Sequence, residues 1–386
     1  MIENLNTQEL KNKYMRILMV TSTYLPSIGG IEYHIEGLAK TLTNNEKYHV
    51  DIAIVSKEYE NFSYTSDGSI GIFRIPATGK FPFLFFKNLK RYIDTLDYDM
   101  LHIHDPQVAG ISLHFIFNKY NTPTILSTHG GMFHTQTESF IKKIYWHIFT
   151  RNILKNYKKI VAVSKNDFHI FNKIISDDKI ILIENGINYK KFNNKGNLTR
   201  DYRKLEFLYF GRFSSNKQVH VLIDIFIEFS KKKSNVELLL IGGTDNKHYL
   251  SLLKNKILKN KQIKIINFLE YQSLIKKMKE FNFFITASNY EGFGMSILEA
   301  MSAGLIPVVN NISPLNSLVN DGINGIVIEF NNHNKAVKQL EEVYSINKVE
   351  FFKLQKEALS KAYTFSWETI SKKYEVLYES LQPNDM

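Results

Sequence analysis

The sequence predicts an α/β protein with two open parallel-sheet domains facing a cleft between them. Three observations carry this. Short apolar runs of strand length alternate with segments of helical spacing, the pattern of parallel strands covered by helices on both faces. The alternation restarts after a polar stretch, Asn193–Arg203, that carries Gly196 and reads as a linker. The chain has 386 residues, enough for two domains of roughly 100–200 residues each.

In the first half, Arg16-Ile-Leu-Met-Val-Thr21 is a strand ended by Pro26 and Gly29-Gly30. Ile31 to Leu42 follows with Ile31, Ile35, Leu38 and Leu42 on one helical face. His49–Val55, Met100–His104, Thr124–Ser127 and Lys159–Val163 continue the strands. In the second half, Glu206–Phe210 is a new first strand and Val219–Ser230 a helix. Val236–Ile241 ends in Gly242-Gly243, and Phe283–Thr286 and Ile306–Val309 complete the series. The domains are therefore expected at 1–195 and 196–365. Open α/β sheets bind ligands beyond the carboxyl ends of their strands, so the site is expected in the cleft.

Composition narrows the function classes. With no cysteine, disulfides, thiolate metal sites and cysteine nucleophiles are excluded. Met1 to Tyr14 is polar and lacks the apolar core of a signal peptide, and no apolar run reaches 18 residues. A cytoplasmic protein is expected. The net charge of +11, from 49 basic and 38 acidic residues, suits an anionic partner; a Lys-rich habit spread over solvated faces accounts for it equally. Lys80-Phe-Pro-Phe-Leu-Phe-Phe86-Lys87 and the Lys142–Lys159 stretch interleave cations with aromatics. That mixture fits peripheral contact with an anionic membrane surface, on the inner face of the plasma membrane, although buried Phe beside solvated Lys gives the same letters.

The chemistry concentrates in Ser288-Asn-Tyr-Glu291-Gly-Phe-Gly294-Met-Ser-Ile-Leu-Glu299. Glu291 stands where a strand hands over to a helix, and Gly292 and Gly294 let backbone approach a ligand. Free N–H groups at the helix start suit a diphosphate, and carboxylates accept from vicinal hydroxyls. An acidic first turn would explain the two glutamates taken alone. Phe210-Gly-Arg212-Phe-Ser-Ser-Asn-Lys217 follows the first strand of the second half, with a planar fork and a compact ammonium suited to a diphosphate. Gly29-Gly30-Ile31-Glu32 opens a helix but lacks the G-x-G-x-x-G of a dinucleotide site. Thr128-His129-Gly130-Gly131-Met132-Phe133-His134-Thr135 lies just past a strand. His102 and His104 share one strand face, which could suit a metal, and Asp97-Tyr98-Asp99 matches a short, common D-x-D pattern read here as structural.

Taken together, these segments resemble the retaining family-4 glycosyltransferases over nearly the whole chain. Glu291 and Glu299, with Gly-Phe-Gly between them, resemble the family's E-x7-E signature; the 211–217 segment resembles its G-R-x-x-x-x-K. The stretch from His129 to Thr135 is similar to the H-G-G-F-F-H-T of bacterial exopolysaccharide and lipopolysaccharide mannosyltransferases, with Met132 in place of an aromatic. The resemblance implies a GT-B fold of two Rossmann-like domains, with a C-terminal helix, 366–386, packed back on the first. It implies Arg212 and Lys217 on the donor diphosphate and Glu299 on the ribose. Glu291, with the backbone of Gly292, Phe293 and Gly294, would hold the sugar. Gly30 and His129 would complete the site, with Glu32 and His134 on the acceptor side. His129 and Glu291 are the expected catalytic residues. It further implies a nucleotide-sugar donor, best matched by GDP-mannose, a lipid-linked or glycan acceptor, no metal or other cofactor, and no nucleic acid. UDP-sugar transfer, sugar-nucleotide epimerisation and non-catalytic binding of membrane or nucleic acid by a basic protein are the rival readings.

Overall fold

A computed structural model describes residues 14–27, 29–80, 83–85, 98–104, 122–129, 154–155, 157–193, 201–313 and 315–382. The chain forms two compact units, 1–186 with 367–386, and 187–366.

The first unit is built on an eight-stranded sheet. Its strands are β1 (Met15–Thr21), β2 (Tyr48–Ser56), β3 (Ser63–Asp67), β4 (Ile70–Pro76), β7 (Met100–Ile103), β8 (Thr124–Ser127), β9 (Lys159–Ala162) and β10 (Ile180–Leu182). They lie in the order β10-β9-β8-β7-β1-β2-β4-β3; a separate two-stranded ribbon pairs β5 (Thr78–Lys80) with β6 (Phe83–Phe85). β1 is buried throughout, as a central parallel strand covered on both faces must be. The expectation of a purely parallel sheet fails at one edge. β3 runs antiparallel to β4, joined through Gly68 at φ +61°, and all five of its residues are exposed. A strand with no face to bury leaves no apolar period in the sequence.

Helix α1 (Gly30–Thr43) buries Ile35, Leu38, Ala39 and Leu42 against this sheet. The C-terminal helix, Trp367–Glu379, packs beside it and buries Trp367, Ile370, Tyr374, Leu377 and Tyr378. The indole of Trp367 lies between two glycines. A Cβ on Gly37 would stand 2.0 Å from its Nε1, and one on Gly186 2.4 Å from its Cε3. Neither position has room for a methyl group, so both glycines serve the docking of this helix.

The second unit has a six-stranded, wholly parallel sheet. Its strands are β11 (Leu205–Phe210), β12 (Val236–Ile241), β13 (Ile263–Ile266), β14 (Phe283–Thr286), β15 (Ile306–Asn310) and β16 (Ile326–Ile328). The order β13-β12-β11-β14-β15-β16 reverses between β11 and β14, the switch point beyond which such sheets bind ligands. This unit starts at Ile187, ahead of the expected boundary at 195. Ile187 donates its N–H to Phe365 O at 2.8 Å, and Phe192 is buried against Tyr271 at 5.4 Å between ring centroids. Apolar burial therefore joins 187–193 to the second core, ahead of the polar stretch that reads as the linker.

Candidate active site

The switch point of the second unit brings its two motifs together. Beyond β11 the chain makes a turn over Ser215–Lys217. Beyond β14 it runs through Ser288–Glu291 into the helix Met295–Ser302. Asn216 ties the two segments: its carbonyl accepts from Asn289 N at 2.9 Å, and its Nδ2 donates to Tyr290 O at 3.3 Å. That clamp places Lys217 Nζ in an ion pair with Glu291 Oε1. Ser288 Oγ donates to the same carboxylate oxygen at 3.0 Å, and Asn310 Nδ2 holds Ser288 O at 3.0 Å. Glu291 is thus a buried acceptor whose direction is set by three other residues.

Arg212 is exposed, and its guanidinium has no acidic partner among the described residues. An ammonium has three donors and Glu291 takes one, so Lys217 and Arg212 both retain capacity for an anion. The helix from Met295 adds its dipole. It starts at Gly294, φ +98°, with no side-chain cap on its first N–H groups. A Cβ there would lie 2.9 Å from Leu318 Cδ1, so backbone angle and packing both demand glycine. Gly242, φ +158°, is tighter still: its Cβ would stand 1.9 Å from Gly211 O. This close approach supports the loop that carries Arg212. First-turn N–H groups without a side-chain cap, two cations and an oriented carboxylate make a site for a diphosphate bearing a hydroxyl-rich group.

Glu299 sits on the second turn of that helix. Burial pushes its pKa up to about 7, opposed by the charge of Lys191. Lys191 itself lies over the Tyr271 ring, 3.9 Å from the centroid. Phe293, expected beside the donor, turns its ring into the core against Phe365 at 5.8 Å, which leaves only its backbone for a ligand. The residues that sequence reasoning passed over here are supporting ones. Ser288, Asn310 and Asn216 are small polar residues whose roles depend on tertiary neighbours.

The first unit holds a second cluster. His129 follows β8 with φ +42°, and its Nε2 lies 3.1 Å from His104 Nδ1. His34, on α1, meets His129 edge-on at 4.7 Å and bonds Asn185 Oδ1 through Nδ1 at 2.8 Å. His102 is held between Tyr378 OH at 2.7 Å and Ser127 Oγ at 2.8 Å. Burial holds all four imidazoles neutral: His34 falls to about 4, and the others lie well below their ordinary value. His34, His104 and His129 each bring one ligand atom within 4.8 Å of the others, a grouping that could hold a metal ion. Each already has a hydrogen-bond partner, however, so the network needs no ion to hold it together.

Other expected residues fall as follows. Glu32 is buried in the first turn of α1 and accepts from Thr23 Oγ1 at 2.6 Å, a contact that braces the loop after β1. Gly30 starts α1 with nothing within 4 Å of a would-be Cβ, so packing does not require glycine there. Asp99 accepts from Arg16 N at 2.8 Å, a structural role. His134 and the basic stretch from 142 to 153 lie outside the described residues.

Two adjoining family models cover most of the chain: the one described as Glycosyltransferase Family 4 matches residues 28–191, and the one described as Glycosyl transferases group 1 matches 190–363. The chain is 30% identical to an uncharacterized glycosyltransferase of Methanocaldococcus jannaschii, over 95% of this chain and 99% of the relative. It is 25% identical to a GDP-mannose:cellobiosyl-diphosphopolyprenol alpha-mannosyltransferase of Komagataeibacter xylinus, over 98% of this chain and 96% of that protein. The crystal structure of a glycosyltransferase from Rickettsia africae shares the fold with a TM-score of 0.73 at 21% identity, covering 97% of this chain and 100% of the other. The site and fold thus define a nucleotide-sugar-dependent transferase of GT-B architecture. The chain belongs to glycosyltransferase family 4.

Proposed function

We propose that this glycosyltransferase moves mannose from GDP-mannose to a polyprenyl-diphosphate-linked acceptor in surface-polysaccharide biosynthesis, with retention of configuration and without a metal. The observation that carries the chemistry is the Lys217–Glu291 pair, Lys217 standing on the loop that also carries Arg212, whose guanidinium has no acidic partner among the described residues. The stated activity of the Komagataeibacter relative supports the donor and acceptor. The bond from sugar C1 to the diphosphate oxygen breaks, and a bond from C1 to the acceptor oxygen forms on the same face. The acceptor proton leaves on the released diphosphate. Arg212, Lys217 and the helix N-terminus from Met295 stabilise the charge that develops on the leaving group. Glu291 holds sugar hydroxyls, Glu299 holds the ribose, and His129 donates to the sugar or acceptor.

A thermal-shift and calorimetric screen against GDP-mannose, UDP-glucose, UDP-galactose and UDP-N-acetylglucosamine tests the donor. GDP-mannose should raise the melting temperature and the others should not. Because Glu299 titrates at about 7 and binds hydroxyls as the ionised form, donor affinity should rise about tenfold between pH 6 and pH 8. In Glu299→Gln that pH dependence should vanish. Selective stabilisation by a UDP-sugar would replace the donor assignment.

Among the described residues no helix is long and apolar enough to cross a membrane. A lipid-linked acceptor calls for contact with a membrane surface, which we place on the basic stretch 142–159 at the inner face of the plasma membrane. Reversing the charges of Lys142, Lys143 and Lys158 should reduce sedimentation with anionic liposomes, and unchanged sedimentation would refute that surface.

A further inference from the structure

We propose that His104 is a positioning residue that fixes the tautomer of His129, so that His129 presents a ring N–H to its ligand rather than a lone pair. This rests on reading His129 as facing a sugar substrate. His104 is wholly buried just after β7, and its Nε2 has no hydrogen-bond partner among the described residues. Its Nδ1 faces His129 Nε2 across 3.1 Å, a separation that calls for one proton between the two nitrogens. Both rings are neutral, so each carries a single proton. Were that shared proton on His129, the proton of His104 would sit on Nε2, a buried N–H with no acceptor among the described residues. With the proton on His104 Nδ1, only a lone pair is left unpartnered at Nε2. An orphaned buried N–H is the costlier of the two. His104 Nδ1–H therefore donates, His129 Nε2 accepts, and the proton of His129 stays on Nδ1.

The other imidazoles cannot set this choice. His34 meets the amide oxygen of Asn185 through Nδ1, which places its proton there, and its Nε2 lies 3.3 Å from Tyr374 OH. Both nitrogens of His102 are engaged by Tyr378 and Ser127. His104 is the imidazole whose ring nitrogen is bonded to His129, and the left-handed backbone at His129 brings that nitrogen to it.

Histidine-selective nitrogen-15 NMR on the full chain reads the tautomer directly. The wild-type protein should show His129 protonated at Nδ1, and protonation at Nε2 would overturn the proposal. Two variants carry the test into catalysis. His104→Asn places an amide N–H where Nδ1 stood, whereas His104→Gln places its amide where Nε2 stood. The Asn variant should keep the Nδ1–H form of His129 and a kcat near wild type. The Gln variant should lose both, with kcat down about tenfold, the worth of one hydrogen bond at the reacting centre, and donor affinity unchanged. Equal kcat in the two variants would overturn the positioning role. An Nδ1–H His129 in a protein that transfers no sugar would instead sink the functional reading and leave the tautomer standing.

Discussion

Glu291→Gln should lower kcat/KM by about 10²–10³-fold, the range observed when one preorganised electrostatic contact is removed at a reacting centre. The amide keeps the shape of the side chain but replaces an acceptor oxygen with a donor. It also strips Lys217 of its counter-charge. Lys217→Ala should cost a similar factor through the leaving group. The double variant should fall little below either single one, because the pair, Ser288 and Asn216 act as one assembly. Steady-state kinetics with the identified donor, accompanied by melting curves, check this. Full additivity of the two losses would show that the residues work independently.

The second large effect is on stability in acid. Four neutral imidazoles in the first unit, three of them buried and His129 half-buried, bind protons when it unfolds and not while it is folded. Their folded pKa values are depressed, so the stability is fully present above the unfolded value of about 6.5. It drains away as pH falls toward the folded values, about 4 for His34. His34 alone accounts for on the order of 3 kcal/mol across that window. Glu299 works in the opposite sense, since its raised pKa makes the folded state bind a proton first, but it lies in the second unit. The first unit should therefore lose stability steadily as pH falls from 6.5 toward 5.5 and unfold ahead of the second. Both tryptophans, 146 and 367, fall in the first unit's span, so fluorescence during urea titrations at pH 7.5, 6.5 and 5.5 reports it. His34→Gln should flatten the pH dependence by about one proton. A stability that does not change between pH 7.5 and 5.5 would contradict the burial of these rings.

Much of this protein is legible in its sequence, for identifiable reasons. Central parallel strands such as β1 and β14 are buried on both faces, so they read as near-continuous apolar runs. Glu291, Arg212 and Lys217 stand out in the sequence through their place just past strand ends and their resemblance to the family's motifs, and the fold brings Glu291 and Lys217 together. β3 leaves no such trace, since its residues Ser-Tyr-Thr-Ser-Asp are all exposed, although the Asp67-Gly68 turn behind it is a hairpin signal. The histidine network is also hidden. His34, His102, His104 and His129 come from three separate segments, and only the fold shows that they share one buried space. Glu32 marks a limit of another kind: a carboxylate beside a glycine loop reads as ligand-facing, yet a nearby threonine claims it.

The most direct test of the account is a transfer assay with purified protein, GDP-mannose and a cellobiosyl-diphosphopolyprenol acceptor, with the anomeric configuration of the product read by NMR. The account predicts an α-linked mannosyl product formed in the presence of EDTA and lost in Glu291→Gln. A β-linked product, transfer only from a UDP-sugar, or activity abolished by EDTA and restored by a divalent metal would contradict it.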